Sequence, residues 1–161
     1  MEHAIDIILI FLVLADLILL GASRLRNVIR IAAWQGLVLG LLPILAHRDG
    51  LVWPAVLLGA GSAGIKGFLF PAMLNRALRE TQSSREVEPF VGYILSLLAG
   101  VGILALSVWF GARLPLPWPP ASTLLIPAGR LTVWPGLCLS GARRKAVAQV
   151  LGNIVLENGI F

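Results

Sequence analysis

Charge is what this chain has least of. Only 13% of its 161 residues are charged and 58% are hydrophobic, whereas soluble domains carry about a quarter charged residues, so a water-soluble enzyme core is excluded. Cysteine is almost absent. A single residue, Cys138, excludes an internal disulfide and any cluster of thiolate ligands within the chain, and with them a disulfide scaffold and a resident iron–sulfur centre. His3 and His47 have no ligand spacing to other residues, so neither a metal site nor a cofactor is expected. The N-terminus, Met1-Glu2-His3-Ala4-Ile5-Asp6, has no basic residue ahead of its apolar stretch and no small-residue cleavage site after it. It is expected to be a retained first helix.

What the chain has instead is long apolar runs, with a mean hydropathy of +0.89. A bilayer asks for about 20 apolar residues per spanning helix, which leaves room for five or six spans and little else. The runs lie at approximately 4–22, 28–46, 51–77, 89–111, 122–139 and 146–161. They predict an all-α polytopic membrane protein with about six transmembrane helices in one integral membrane domain over residues 1–161. The net charge of +5 reports orientation. Arg24, Arg26 and Arg30 follow the first run, Arg76, Arg79 and Arg85 the third, and Arg143, Arg144 and Lys145 the fifth, whereas Arg48 and Arg113 stand alone after the second and fourth. By the positive-inside rule, the basic connections are cytoplasmic and the N-terminus is outside. No continuous basic face remains for nucleic acid.

Glycine and proline give the runs character. Gly36 and Gly40 in the second, Gly64 in the third and Gly152 in the sixth read as close helix contacts. The third run holds Gly59, Gly61, Gly64 and Gly67 around Lys66, with Pro71 beyond, which predicts a bent or locally unwound helix covered by its neighbours. Gly59 to Gly64 also fits a dinucleotide-binding spacing, but that fingerprint works only at a strand-to-helix turn. Residues 79–88 form the longest polar stretch, Pro89 suits a first helical turn, and Leu114 to Pro120 cannot be helix. Trp53, Trp109 and Trp118 lie at outer boundaries as interfacial anchors. The fifth run is interrupted by Pro127, Arg130 and Pro135 and is expected to be broken or to form only inside a complex. The sixth, about 16 residues and roughly 24 Å at helical rise, falls short of a core of about 30 Å. The expectation is a piece of a longer protein, or a last helix that depends on a partner.

The chemistry rests on the few polar residues inside these runs. Lys145, Gln149, Asn153 and Glu157 recur every four residues, on one helical face, and form a polar stripe toward mid-membrane. An ionisable residue at that depth marks a proton or ion path by default, which makes Glu157 the first candidate, with Gln149 and Asn153 as its approach. The alternative is a carboxyl that only hydrogen-bonds a neighbouring helix. Lys66 is the second candidate, too deep to reach either surface. It is either a relay or half of a structural ion pair with Asp16 or a partner chain. Asp16 is the third, and Asp6 is expected to be simply hydrated.

The final run, Arg143-Arg-Lys-Ala-Val-Ala-Gln-Val-Leu-Gly-Asn-Ile-Val-Leu-Glu-Asn-Gly-Ile-Phe161, resembles the membrane subunit called hydrogenase-4 component E of formate hydrogenlyase and related group 4 [NiFe]-hydrogenases. It is more distantly similar to subunit K of respiratory complex I, where a basic pair precedes a helix with an intramembrane glutamate. The likeness extends through Ser23-Arg-Leu-Arg-Asn-Val-Ile-Arg30, Gln35-Gly-Leu-Val-Leu-Gly-Leu-Leu-Pro43, Ile65-Lys-Gly-Phe-Leu-Phe-Pro71 and Arg85-Glu-Val-Glu-Pro-Phe-Val-Gly-Tyr93. The resemblance implies a proton-path subunit wedged between a membrane-anchor subunit and an antiporter-like subunit. It implies that Glu157 and Lys66 match the family's glutamate and third-helix lysine. This chain departs from the pattern in having no second glutamate helix, no further spans after Phe161 and an interrupted segment Gly129 to Pro135.

The expected function is therefore that of a non-catalytic subunit in the inner membrane of a bacterium or archaeon, helping couple electron transfer in other subunits to proton translocation. Two alternatives stand beside it. One is a scaffold whose helices only pack between larger subunits, and the other is a small subunit of a multisubunit cation/proton antiporter.

Overall fold

The computed structural model describes residues 2–22, 24–43, 53–80, 93–111, 113, 122–141 and 146–160. The chain is all-helical there. Its helices are α1 (Glu2–Gly21), α2 (Leu25–Leu39), α3 (Trp53–Gly64), α4 (Phe70–Glu80), α5 (Tyr93–Gly111), α6 (Leu125–Gly141) and α7 (Ala146–Ile160). A π-helical turn, Ile65–Leu69, joins α3 to α4, so the described residues make six helical rods, one at each apolar run. The polar stretch after residue 80, the proline-rich connector, Trp118 and the basic residues 143–145 lie outside the described residues, as do His47, Arg48 and Pro89.

The third rod is wound through rather than unwound. The N–H of Phe70 bonds the carbonyl of Ile65, five residues back. Immediately beyond stands Pro71, which has no N–H for the carbonyl of Gly67 and whose ring would crowd that carbonyl in a tight α-turn. A widened turn relieves that crowding and re-aims the side chains on it. Lys66 is one of them.

The fifth run is not broken either. α6 is continuous from Leu125 to Gly141 with Pro135 inside it, against the interruption its sequence suggests. Pro127 sits in the first turn, where a missing donor costs nothing. Beside Pro135 the helix is braced by α7. A Cβ on Gly136 would stand 2.5 Å from the backbone nitrogen of Leu156, and one on Gly159 would stand 2.7 Å from that of Val133. Gly152 meets the backbone of Ser140 in the same way. Only glycine lets two helix backbones approach so closely.

Two apolar clusters define the ends of the bundle. One gathers Leu19 of α1, Leu25 and Val28 of α2, Leu74 and Leu78 of α4, and Leu139 and Leu151 of the α6–α7 hairpin. The other gathers Ile5, Leu9 and Leu12 of α1, Leu39 of α2 and Ala128 of α6. The end of α1, the start of α2 and the end of α4 thus meet, which brings Arg24 and Arg26 to the same end as Arg76 and Arg79.

The exterior is as apolar as the interior. Along α5, Ile94 is 72% exposed and Leu95 and Leu98 62% each, and exposed leucines, isoleucines and phenylalanines continue over α1, α3 and the π-turn. Exposed apolar side chains running along several helices are unusual on soluble monomers. Two stretches, His3–Gly21 and Val56–Glu80, are long and apolar enough to cross a membrane. Trp53 and Trp109 are exposed at helix ends, and the Arg113 guanidinium lies 4.1 Å over the Trp109 ring, an arrangement suited to a membrane–water boundary.

A candidate proton site in the buried polar layer

Between the two apolar clusters lies a polar layer. Asp16 falls on the inward stripe of α1 between Leu12 and Leu19 and is 0% exposed. Its carboxyl group accepts a hydrogen bond on each oxygen, from Gln35 Nε2 at 2.7 Å and from the Thr132 hydroxyl at 2.6 Å. Gln35 and Thr132 are buried as completely, on α2 and α6. Two residues from two other helices therefore converge on this one carboxyl group of α1.

The hydroxyl at the centre has a proton-counting property. Thr132 Oγ1 also stands 3.0 Å from the carbonyl of Ala128, so one hydroxyl hydrogen faces two acceptors. With Asp16 ionised, that hydrogen goes to the carboxylate. With a proton on Asp16, the carboxyl donates to Thr132 and Thr132 donates to Ala128, so both short contacts are hydrogen bonds. The geometry serves either state with no movement of heavy atoms.

An ion pair joins the π-turn to α7. Lys66 is 6% exposed, and its ammonium stands 3.5 Å from Oε1 of Glu157, whose side chain is 60% exposed. The structural ion pair of Lys66 is with Glu157 on α7, while Asp16 is held by Gln35 and Thr132. Gly36 fixes the depth of the lysine: a Cβ there would come within 2.5 Å of Lys66 Cβ. Since Gly36 follows Gln35, α2 touches the Asp16 cluster and the Lys66 pair through adjacent residues.

Comparison with known proteins adds a relative. The chain is 30% identical over 151 residues, 92% of its length and 68% of the other's, to "Uncharacterized protein Rv0085" of Mycobacterium tuberculosis (strain ATCC 25618 / H37Rv). The chain belongs to the Rv0085 family. No family model matches it, and no solved structure matches it.

In this member of the Rv0085 family, α7 turns its polar stripe outward. Gln149, Asn153 and Glu157 are all exposed, because Gly152 and Gly159 commit the adjoining face to α6. Asn153 accepts a hydrogen bond from Ser140 at 3.1 Å. Lys145 lies outside the described residues. Of the glycines read as packing contacts, Gly36, Gly40 and Gly152 each sit against a neighbour, whereas a Cβ on Gly64 would meet nothing within 4 Å. The close approach on that rod belongs to Gly67, against the side chain of Leu37. Asp6, expected to be hydrated, accepts a hydrogen bond from Ser122 at 2.5 Å.

Gln35 and Thr132 were not singled out as Asp16 partners by sequence, although each is a polar residue in an apolar run, which is the usable signal. Asn158 is a third such residue. Its amide is buried, and among the described residues neither its nitrogen nor its oxygen has a hydrogen-bond partner. It lines a cavity of 440 Å³ together with Thr132, Arg130, Leu12, Leu39 and Pro43. This cavity reaches from the end of α2 to Thr132, the residue whose hydroxyl touches Asp16, and it is large enough to hold water.

Proposed function

We propose that the chain is a membrane subunit of a hydrogenase-4/formate hydrogenlyase-like complex, contributing to proton translocation coupled to electron transfer in other subunits. It would lie in the inner membrane of a bacterium or archaeon, crossing it about six times with its N-terminus outside. Arg24, Arg26, Arg76 and Arg79 would then be cytoplasmic, in keeping with the positive-inside rule. Antiporter-like and membrane-anchor subunits would be its partners. The observation that carries the reading is the buried Asp16–Gln35–Thr132 cluster next to the Lys66–Glu157 pair. Ionisable groups inside an apolar bundle are costly and are kept mainly for moving charge. A proton would pass between the cavity and Asp16 through Thr132. Lys66 and Glu157 would carry it onward to the exposed face of α7, where a neighbouring subunit would continue the path. The sequence likeness to component E and subunit K supports the same assignment.

The test has two parts. A tagged chain is recovered from native membranes and its companions identified; a [NiFe] large subunit together with an antiporter-like subunit is expected. Proton uptake is then measured in the assembled complex carrying Glu157→Gln. Loss of coupling with assembly intact is expected, and unchanged coupling overturns the relay.

The glycine contacts favour a second reading, a packing scaffold. On that reading Glu157→Gln is silent in proton uptake, and Gly36→Leu lowers recovery of the partner subunits. Recovery of antiporter subunits without a hydrogenase large subunit would favour the antiporter reading instead.

A further inference from the structure

A groove of 720 Å³ lies between α1 and α2 at the basic end of the bundle, within the range of about 300–1,000 Å³ usual for ligand clefts. Leu14, Leu17 and Ile18 of α1 form one wall, Arg30, Ile31 and Trp34 of α2 form the other, and Leu97 of α5 closes it. The wall residues recur at helical spacing, so the groove runs along the helices for about 12 Å at 1.5 Å per residue.

Arg30 is the anomaly in it. It stands five residues inside α2, about 8 Å from the helix start, on the exposed side, and has no hydrogen bond or ion pair among the described residues. An arginine facing lipid at that depth needs an anionic partner or must reach back to the interface. The neighbourhood is of one sign. Arg24 and Arg26 lie at the same helix end, the first turn of α2 has no acidic residue, and no side chain caps its N-terminus. The positive end of the helix dipole adds to that field.

We propose that this groove binds one anionic phospholipid, its phosphodiester held by the Arg30 fork with Asn27 alongside and an acyl chain lying between Leu14, Ile18 and Trp34. Guanidinium pairs with phosphate through two parallel hydrogen bonds, and basic pockets between membrane helices on the cytoplasmic side recognise anionic headgroups. The site requires that the chain lie in a bilayer and is independent of proton movement. Its failure leaves the relay standing, and failure of the relay leaves the lipid site standing.

The full-length chain, purified in mild detergent, is titrated with phosphatidylglycerol, phosphatidylcholine and inorganic phosphate while thermal stability is followed. Saturable stabilisation by phosphatidylglycerol alone is expected. Arg30→Gln is expected to weaken its apparent affinity by about tenfold, the loss that goes with one charge-assisted interaction. Arg30→Lys, which keeps the charge without the fork, should fall between, and it serves as the readout if Arg30→Gln fails to fold. Arg113→Gln, at the other end of the bundle, should match the parent chain. Equal stabilisation by phosphatidylcholine, an equal effect of phosphate alone, or unchanged affinity in both Arg30 variants overturns the proposal. A photocrosslinker at position 34 in native membranes separates the remaining occupant: lipid adducts support the site, and adducts to a protein subunit overturn it.

Discussion

Asp16 and Glu157 are both carboxylates on apolar helices, yet the fold treats them in opposite ways. Asp16 is sealed and held by two neutral donors on two other helices. Glu157 is mostly outside the chain, and its partner is a buried cation at 3.5 Å. The difference teaches which group carries the fold and which faces outward. A buried carboxyl with neutral partners organises three helices around itself, and removing it strands their donors. A half-exposed carboxylate leaning on a buried lysine is anchored by the chain and left open to contacts from outside it.

The sharpest way to break this comparison is to delete each carboxyl group. Asp16→Leu leaves the Gln35 amide and the Thr132 hydroxyl buried without their acceptor. At about 1–3 kcal/mol for each buried donor left unsatisfied, a loss of about 3 kcal/mol is expected, with Thr132 partly rescued by Ala128. Asp16→Asn keeps an acceptor for one donor and should lose about half as much. Thermal or denaturant unfolding of the detergent-solubilised chain measures both. If Asp16→Leu is as stable as the parent chain, the cluster does not hold the helices together.

Next in size is the contact that links the two sites. Gly36→Leu forces a side chain into Lys66, and overpacking of this kind typically costs about 1–3 kcal/mol. Gly64→Leu, on the same rod but facing open space, should cost less than about 0.5 kcal/mol. The pair separates a true helix contact from a helix merely rich in glycine. Equal losses would mean that the α2 contact with the π-turn is not specific.

These residues also mark how far the sequence could be read. The six rods stand where the apolar runs stand, because a span of about 20 apolar residues is a local property. Lys66, Asp16 and Glu157 could be picked out for the same reason, each being a charge in such a run. Their partners could not. Gln35 lies 19 residues from Asp16 and Thr132 lies 116, and nothing local joins them. The continuity of α6 was hidden similarly, since Pro135 reads as a breaker until α7 is packed on Gly136. For α7, spacing by four placed Gln149, Asn153 and Glu157 on one face. Which neighbour that face meets was decided by Gly152 and Gly159 on the next one.

Of the two carboxyl groups, Glu157 should matter less to stability, and that makes Glu157→Gln the most informative change. The neutral amide keeps the size and hydrogen-bonding capacity of the side chain. The pair it disrupts is more than half exposed on the Glu157 side and buried on the Lys66 side, so its loss should cost more than the roughly 0–1 kcal/mol of a surface pair and less than the roughly 3–5 kcal/mol of a fully buried one. A shift of about 1–2 kcal/mol, smaller than that of Asp16→Leu, is therefore expected in the isolated chain. In the assembled complex the same substitution removes the carboxyl group from the exit of the proposed path, and proton uptake per electron pair should fall sharply while subunit recovery stays unchanged. The contrast with Asp16→Leu is then complete, one change loosening the fold and the other leaving it folded but uncoupled. A Glu157→Gln complex that assembles poorly would instead make this carboxylate a docking contact for the neighbouring subunit.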